Sequence, residues 1–580
     1  MKSPATTHLV VNLIGGSLLT VLGLFLIFNS AASISLMVGL LCVGLVLVGI
    51  VLLSEPGAVS QRRAVHTVSA VLLIMAGLAL LVCRFLSLPV LALIVSIVLF
   101  CGGALRLFGV FPRGSKPRIR GLLTAATGLF ASVLVLFWPR MSLWVLGVAF
   151  GAWLALQGLR ALAWTFSAKL PAAPVWWRKS AQGVLTALTA VGLVLILGAG
   201  AITAWIHSTG ERAVADEFYL PPASVPELPG QLIRAEPLEH AAIENTRAWR
   251  ILYTTTLEDG AAAVASGVVT VPASDDDTER PVLSWANGTK GVVPRCAPSL
   301  SANPYEDGPN MAREELLASG WAVVATDYVG LGTRGPHPYL VGNSEAHAVL
   351  DATRAAAELD AAQLSSRTVL WGHSQGGHAA LFSALAAQEY APELEVLGTA
   401  ALAPATDLST LATGIKDDAA GKIVTSYIAS AWDEIYPELA LTSMLDASAR
   451  SAVSRISDLC FTGKDVLAAM ATSSQLFVPV INGSALNGPI GDQLMANSVP
   501  FKVPGPVFVA QGSSDTLVLP SMQRGWTAQA CAAGSDLLYR EYDGLDHLSL
   551  VGRASALNAD LVNWTRSLLT AEQASANCAG

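Results

Sequence analysis

The stretch "VLWGHSQGGHAAL", residues 369–381, is a β-rich apolar run that breaks at Gly372, presents Ser374, and resumes as a series of small helix-forming residues. Gly372, Ser374 and Gly376 fit the pattern G-x-S-x-G, which a chain with 50 glycines in 580 residues also meets readily by chance. Context is therefore needed. "TVLW" before it reads as a buried strand and "QGGHAALFSALAAQ" after it as a helix, so Ser374 falls on a strand-to-helix elbow. At an elbow the pattern has a mechanism. Glycines on both sides permit a strained turn, and the helix N-terminus sets backbone N–H groups beside developing negative charge. A glycine-rich turn with an idle serine is the alternative.

Around this elbow, residues 246–580 alternate between short apolar strands and helices. "RAWRILYTTT" and "AVASGVVTVPA" are β-rich. They are followed by "PVLSWA", a helix near 309–319, "WAVVATD", a helix near 343–360, the elbow, and "EVLGTAAL". Such alternation predicts an α/β domain with a mainly parallel sheet covered on both faces and function at the carboxyl ends of its strands.

A serine hydroxyl needs a base to remove its proton, and the base needs an orienting carboxylate. On this fold the chain order is serine, acid, histidine. "GPVFVAQGSSDTLVLP" places Asp515 just past a late strand, and "LLYREYDGLDHLSL" places His547 after the next. Asp543 and Asp546 are rival acids, but neither follows the preceding strand as Asp515 does. His373 and His378 flank the serine too closely to align an imidazole with its Oγ, so they read as pocket wall and as helix packing or rim. Asp327, ending "WAVVATD", reads as a loop hydrogen-bonding group or a substrate-facing one. The oxyanion donors expected are the backbone N–H of Gln375 and that of Gly288 or Thr289, in the "NGTKG" loop after "PVLSWA".

With these residues placed, 246–570 resembles the secretory lipase family, α/β-hydrolases of the lipase A type. The resemblance rests on "WANGTKGVVPRCAPS" at 285–299, "DYVGLGTRGPHPYLVGNSEAHAVLDATRAA" at 327–356 and "GHSQGGHAAL" at 372–381. Asn287 stands where the family pattern has histidine, which leaves backbone donors intact and removes any imidazole role. The resemblance implies a helical cap or lid over residues 408–500. Of seven cysteines, Cys42, Cys83 and Cys101 lie in apolar segments, while Cys296, Cys460, Cys531 and Cys578 allow three pairings. The resemblance favours Cys296 with Cys460 and Cys531 with Cys578. No Cys/His spacing resembles a zinc site and no second phosphate-type glycine loop follows a strand, so no metal or cofactor is expected.

The first third is different. Seven apolar stretches, near 9–28, 32–53, 64–83, 88–108, 120–137, 142–164 and 182–206, approach bilayer-spanning length. Residues 1–206 hold 14 Lys and Arg against one acidic residue, Glu55, and the rest of the chain holds 21 against 42. The basic residues concentrate in the connections after the second, fourth and sixth stretches, which puts the N-terminus in the cytoplasm and residues beyond about 207 outside. Arg106 and Arg160 lie near predicted cytoplasmic ends, within snorkelling reach. "GLFLIF" at 23, "GLALLV" at 77 and "GLFASV" at 128 recur at spacings of 54 and 51, so this region resembles the HdeD-like short-repeat membrane proteins. Intramembrane carboxylates and histidine clusters are lacking, which favours an anchor over a transporter or sensor. Glycine-rich segments read as tight helix packing. Residues 207–245, with clustered Pro and mixed charge, read as an extended spacer.

These readings combine into a transmembrane helical domain (1–206), a linker (207–245) and an α/β-hydrolase domain (246–580). The expected activity is a membrane-anchored, extracytoplasmic serine ester hydrolase. Its expected partners are a lipid or other ester substrate and the bilayer. An acyltransferase would use the same triad, and a silent hydrolase fold acting as an envelope binding or stress-response protein is the non-enzymatic alternative. The acidic second half argues against nucleic acid as a partner; the residues carry no signal for an oligomeric state.

Overall fold

The chain divides into two compact units, Met1–Trp205 and Ile206–Gly580. The structure is a computed structural model. It describes residues 214–570 and 576–578 apart from 240–242, 275–277, 302, 306, 307, 446, 475, 477, 482 and 484. In the first unit it describes 4–28, 119–137 and scattered shorter pieces.

In the first unit, helix α1 (Pro4–Phe28) and helix α2 (Ile119–Phe137) coincide with the first and fifth apolar stretches. The described residues of the other five stretches are helical, while most of their length lies outside the described residues. Among the described residues no helix is long and apolar enough to cross a membrane. Glycines serve close packing. A Cβ on Gly23 would lie 2.4 Å from the Gly151 oxygen, and one on Gly158 would lie 2.5 Å from the Gly16 oxygen. Only small residues allow two backbones to approach in this way.

The second unit is built on a nine-stranded sheet in the order β1-β2-β3-β5-β4-β6-β7-β8-β9. Its strands are β1 (Leu232–Pro237), β2 (Thr246–Thr256), β3 (Ala262–Pro272), β4 (Arg280–Ala286), β5 (Ala322–Val329), β6 (Leu364–His373), β7 (Glu395–Leu402), β8 (Pro506–Gly512) and β9 (Asp536–Tyr542). The first three pair antiparallel, as does β3 with β5, and the rest are parallel. Side chains alternate between the faces, as the pleat requires. Val369 and Trp371 pack on one face with Leu316 of α3 (Asn310–Ala318) and Trp564 of the C-terminal helix. Leu370 packs on the other with Val349 of α4 (Gly342–Ala357) and Leu381 of α5 (Gln375–Tyr390). Both faces are apolar because both are covered, which is why the sequence of β6 reads as a continuous apolar run.

Between β7 and β8 the chain leaves the sheet and forms a helical layer, from Leu408–Gly414 to Pro489–Ala496. Ile423, Tyr427, Trp432, Ile456 and Leu494 form its own core. Disulfides join Cys296 to Cys460 and Cys531 to Cys578. The first ties this layer to the segment after β4, reinforced by the Phe461 N–H donating to the Lys290 oxygen at 2.7 Å and by the Arg295–Asp465 ion pair at 2.7 Å.

The expectation of an extended spacer over 207–245 requires correction. Residues 232–237 form β1 on β2, and Phe218 and Tyr219 are buried. Arg250 of β2 pairs with Asp216 and Glu236 at 2.9 and 2.6 Å and stacks over Phe218, with its guanidinium carbon 4.2 Å from the ring centre. The mixed charges that made this stretch look solvated are partners of one strand residue, and a half-exposed edge strand shows no clean apolar period. The folded body therefore takes in β1 and the segment around Phe218 and Tyr219 rather than beginning at 246.

Tyr219 also connects to a buried hydrogen-bond chain. Its hydroxyl meets Ser299 Oγ at 2.9 Å, and Asp327 accepts from Ser299 N–H at 2.9 Å, from the Ser299 hydroxyl, and from the Ser266 hydroxyl at 2.6 Å. Asp327 thus locks a strand end to a loop, the first of the two roles expected for it. Burial pushes its carboxyl up to about 6. In the unfolded chain an aspartate titrates near 3.9, so between about pH 4 and 6 the folded state holds a proton that the unfolded state has released. The contribution of this group to stability therefore falls as pH rises through that window, by on the order of 2–3 kcal/mol. Asp327→Asn, whose amide can donate to the two reoriented hydroxyls, should remove that slope. Urea unfolding of both chains at pH 4 and pH 6.5 measures it, and parallel pH dependences would contradict the assignment. Tyr219→Ala should cost roughly 3 kcal/mol of stability by the same method, as expected for a large buried aromatic.

Candidate active site

The elbow begins with sterics. Ser374 has φ 59° and ψ −118°, a backbone conformation that L-residues seldom adopt and that costs about 1–3 kcal/mol. Neighbours hold it there. The Ser374 N–H donates to the Leu402 oxygen at 2.9 Å, and the Ser374 oxygen accepts from His378 N–H at 3.1 Å. A Cβ at position 372 would lie 1.9 Å from the Gly376 oxygen, and one at 376 would lie 1.9 Å from the Ala286 oxygen. Both glycines are required by close approach, which separates this pattern from a chance match. The Ser374 side chain is half-buried at the N-terminus of α5.

His547 and Asp515 meet. His547 Nδ1 lies 2.7 Å from Asp515 Oδ2, with the carboxylate fully buried and the imidazole about one-tenth exposed. Asp515 Oδ1 accepts from the Leu517 and Val518 N–H groups at 2.8 and 2.9 Å, and Oδ2 also accepts from Gln511 Nε2 at 3.1 Å. A carboxylate so supplied with donors calls for Nδ1–H on His547, which leaves Nε2 with the lone pair of the neutral ring. The rival acids are committed elsewhere. Asp546 caps Leu548 and Ser549, whose bonds hold its carboxyl below the usual range, and Asp543 accepts from Ser513 at 3.1 Å.

His373 does more than line a wall. Its Nε2 donates to the His547 backbone oxygen at 2.9 Å, and the two rings lie 4.6 Å apart. Burial and the nearby His547 push its imidazole well below the usual range, so it is a neutral brace. Adjacency to Ser374 concealed this role, because the contact spans 174 positions and leaves no local signal.

The loop after β4 runs beside the elbow. A Cβ on Gly288 would lie 3.1 Å from the His373 oxygen, and Thr289 Oγ1 lies 2.9 Å from the Tyr339 hydroxyl. Asn287 anchors the loop through Trp285 Nε1–H at 3.0 Å, the Thr326 oxygen at 2.8 Å and the Tyr328 hydroxyl at 2.9 Å. Its side chain is thereby committed to bracing. The N–H groups of Gln375, Gly288 and Thr289 donate to no acceptor among the described residues. Ser374 Oγ likewise has no hydrogen-bond partner among them, His547 included; such contacts commonly tighten only when substrate binds. Below the elbow, His378 is buried against Glu345 at 2.8 Å, a partner 33 positions away that leaves no local signal. Among the described residues no three His, Cys, Asp or Glu side chains gather as a metal ion would need.

Comparison with known proteins agrees with this architecture. Residues 310–566 match the family described as secretory lipase, and residues 68–135 match a short repeat of unknown function. A Mycobacterium tuberculosis protein named "Probable inactive lipase" is 26% identical over 58% of this chain and 78% of its own length. Lipase A of Moesziomyces aphidis is 28% identical over 32% of this chain, and a Malassezia globosa secreted triacylglycerol lipase is 30% identical over 36%. The chain spans 41% and 48% of the length of those two fungal relatives. The crystal structure of Candida antarctica lipase A is similar in fold, with TM-score 0.52 and 20% identity over 64% of this chain and 90% of that one. Residues 310–566 of this chain are a secretory lipase family domain, on an α/β-hydrolase fold.

Proposed function

We propose that the chain is a serine carboxylic-ester hydrolase in which Ser374, His547 and Asp515 form the triad. The observation that carries this reading is the His547–Asp515 contact at 2.7 Å, on loops after the last two strands of a sheet whose central strand ends in a strained serine elbow. His547 Nε2 takes the proton of Ser374 Oγ as that oxygen attacks the ester carbonyl carbon. The carbonyl oxygen becomes an oxyanion held by the Gln375 N–H and that of Gly288 or Thr289, each donor being worth about 100- to 1000-fold in rate. The histidine then gives its proton to the leaving alcohol. Water, deprotonated by the same base, resolves the acyl-enzyme. Neutral His547 is the working form of this base. An alcohol acceptor in place of water would make the same intermediate serve acyl transfer.

The helical layer over 408–500 would act as a lid on the acyl site, and the first unit would anchor the hydrolase at the outer face of the membrane. Supporting the anchor are the apolar stretches, the alternation of basic connections, the short-repeat match and the secretory character of the family. A second reading, a catalytically silent member, takes its weight from the Mycobacterium relative whose name marks that protein as inactive.

Reaction with a fluorophosphonate probe separates the readings. Full-length protein should be labelled, Ser374→Ala should not, and kcat/KM on an aryl ester should fall by roughly 10⁴-fold or more in the variant. Folded wild-type protein that neither labels nor hydrolyses would establish the silent reading. A chain-length series of esters then tests the lipase label, which a preference for short soluble esters would remove. Alkaline carbonate extraction should leave the chain in the membrane pellet, and release to the supernatant would contradict the anchor.

A further inference from the structure

Beneath the elbow lies a buried carboxylate that the mechanism above does not use. Glu345 sits in the first turn of α4 and is wholly buried. Its Oε1 accepts from the Leu340 N–H at 2.8 Å and from Gln375 Nε2 at 2.7 Å, and its Oε2 lies 2.8 Å from His378 Nδ1. Gln375 and His378 are the first and fourth residues of α5 and share one helical face. One carboxylate therefore grips the turn whose opening N–H is the proposed oxyanion donor.

The donor and acceptor pattern leaves little freedom. His337 Nδ1 lies 2.9 Å from the Val329 oxygen, which can only accept, so Nδ1 carries the hydrogen. Burial pushes that imidazole down to about 4, so its Nε2 keeps a lone pair and accepts from Gln375 Nε2 at 3.3 Å. Both amide hydrogens of Gln375 are thus used, one on Glu345 and one on His337. His378 Nε2 likewise faces a carbonyl, that of Asn497 at 2.8 Å, and must donate to it. The contact between His378 Nδ1 and Glu345 then holds one further proton, which cancels the carboxylate's charge. That cancellation matters, because an uncompensated buried anion below the elbow would oppose an oxyanion forming above it.

We propose that Glu345 is a positioning residue for the oxyanion donor, holding the Gln375 N–H in place through the Gln375 side chain while His378 neutralises it. This rests on the hydrolase reading above. Glu345 touches no reacting atom; it acts on the geometry in which Gln375 meets the transition state.

The test compares kcat and KM of full-length wild type, Glu345→Ala, Glu345→Gln, Gln375→Ala and the Glu345→Ala/Gln375→Ala pair on one aryl ester, with thermal midpoints recorded alongside. Glu345→Ala should lower kcat by about 10- to 100-fold at unchanged KM, the mark of an interaction realised in the transition state. Glu345→Gln should recover most of that loss. Its amide oxygen still accepts from Leu340 and Gln375, and its NH2 can donate to Nδ1 of a neutral His378. The double variant should be no slower than the slower single one, because both changes break the same contact. Wild-type kcat in Glu345→Ala, or losses that multiply in the double variant, would overturn the proposal. If Glu345→Ala does not fold, Gln375→Ala decides, since it keeps the backbone N–H and loses only the anchor; wild-type kcat there overturns it. An inactive, unlabelled wild type overturns the hydrolase reading and this one together, whereas an active wild type indifferent to these changes overturns this one alone.

Discussion

Ser374 can hold its positive φ because carbonyl oxygens occupy the places where side chains at 372 and 376 would stand. The oxygen crowding Gly376 belongs to Ala286, the last residue of β4, which lies beside β6 in the sheet. One steric contact therefore sets two things: the turn that presents the serine, and the distance at which the loop continuing β4 passes the turn. Gly288 comes against His373 as a consequence. Strain at such a residue persists only where its surroundings over-determine it, and here strand, helix and loop all do so.

A second requirement is that buried charge be matched. Asp515 is satisfied by two backbone N–H groups, Gln511 and His547; Asp327 by two serines; Glu345 by Leu340, Gln375 and His378. Each of these carboxylates ties together elements far apart in the chain, because leaving one unpaired in a low-dielectric interior costs more than any single contact gains. The Cys296–Cys460 disulfide and the Arg295–Asp465 pair extend the same bracing to the helical layer between β7 and β8.

Much of the candidate site is legible from sequence because the groups proposed to react stand at strand ends in a set chain order. Ser374 follows β6, Asp515 follows β8 and His547 follows β9, so strand periodicity together with turn chemistry locates all three. The limits lie where residues act through distant partners. The segment 214–237 is held to β2 by Arg250 donating to both acidic partners, and nothing periodic announces an edge strand preceded by prolines. His373 reads from sequence only as pocket wall because its partner is the backbone oxygen of His547, an atom with no residue identity to read.

Sequence alone indicated most of the strands and helices of residues 246–570 and the candidate nucleophile, base and acid, because steric and periodic rules act over a few neighbouring residues. It also carried the strong division between a basic, apolar first third and an acidic remainder. Tertiary structure alone decided that Glu345 grips the elbow helix, that His373 braces His547, and that Asp327 is a lock rather than a substrate contact. The reason is physical: a buried polar group takes its role from whichever donor or acceptor the packed fold brings within hydrogen-bond distance, and that partner is chosen by topology, not by its neighbours along the chain.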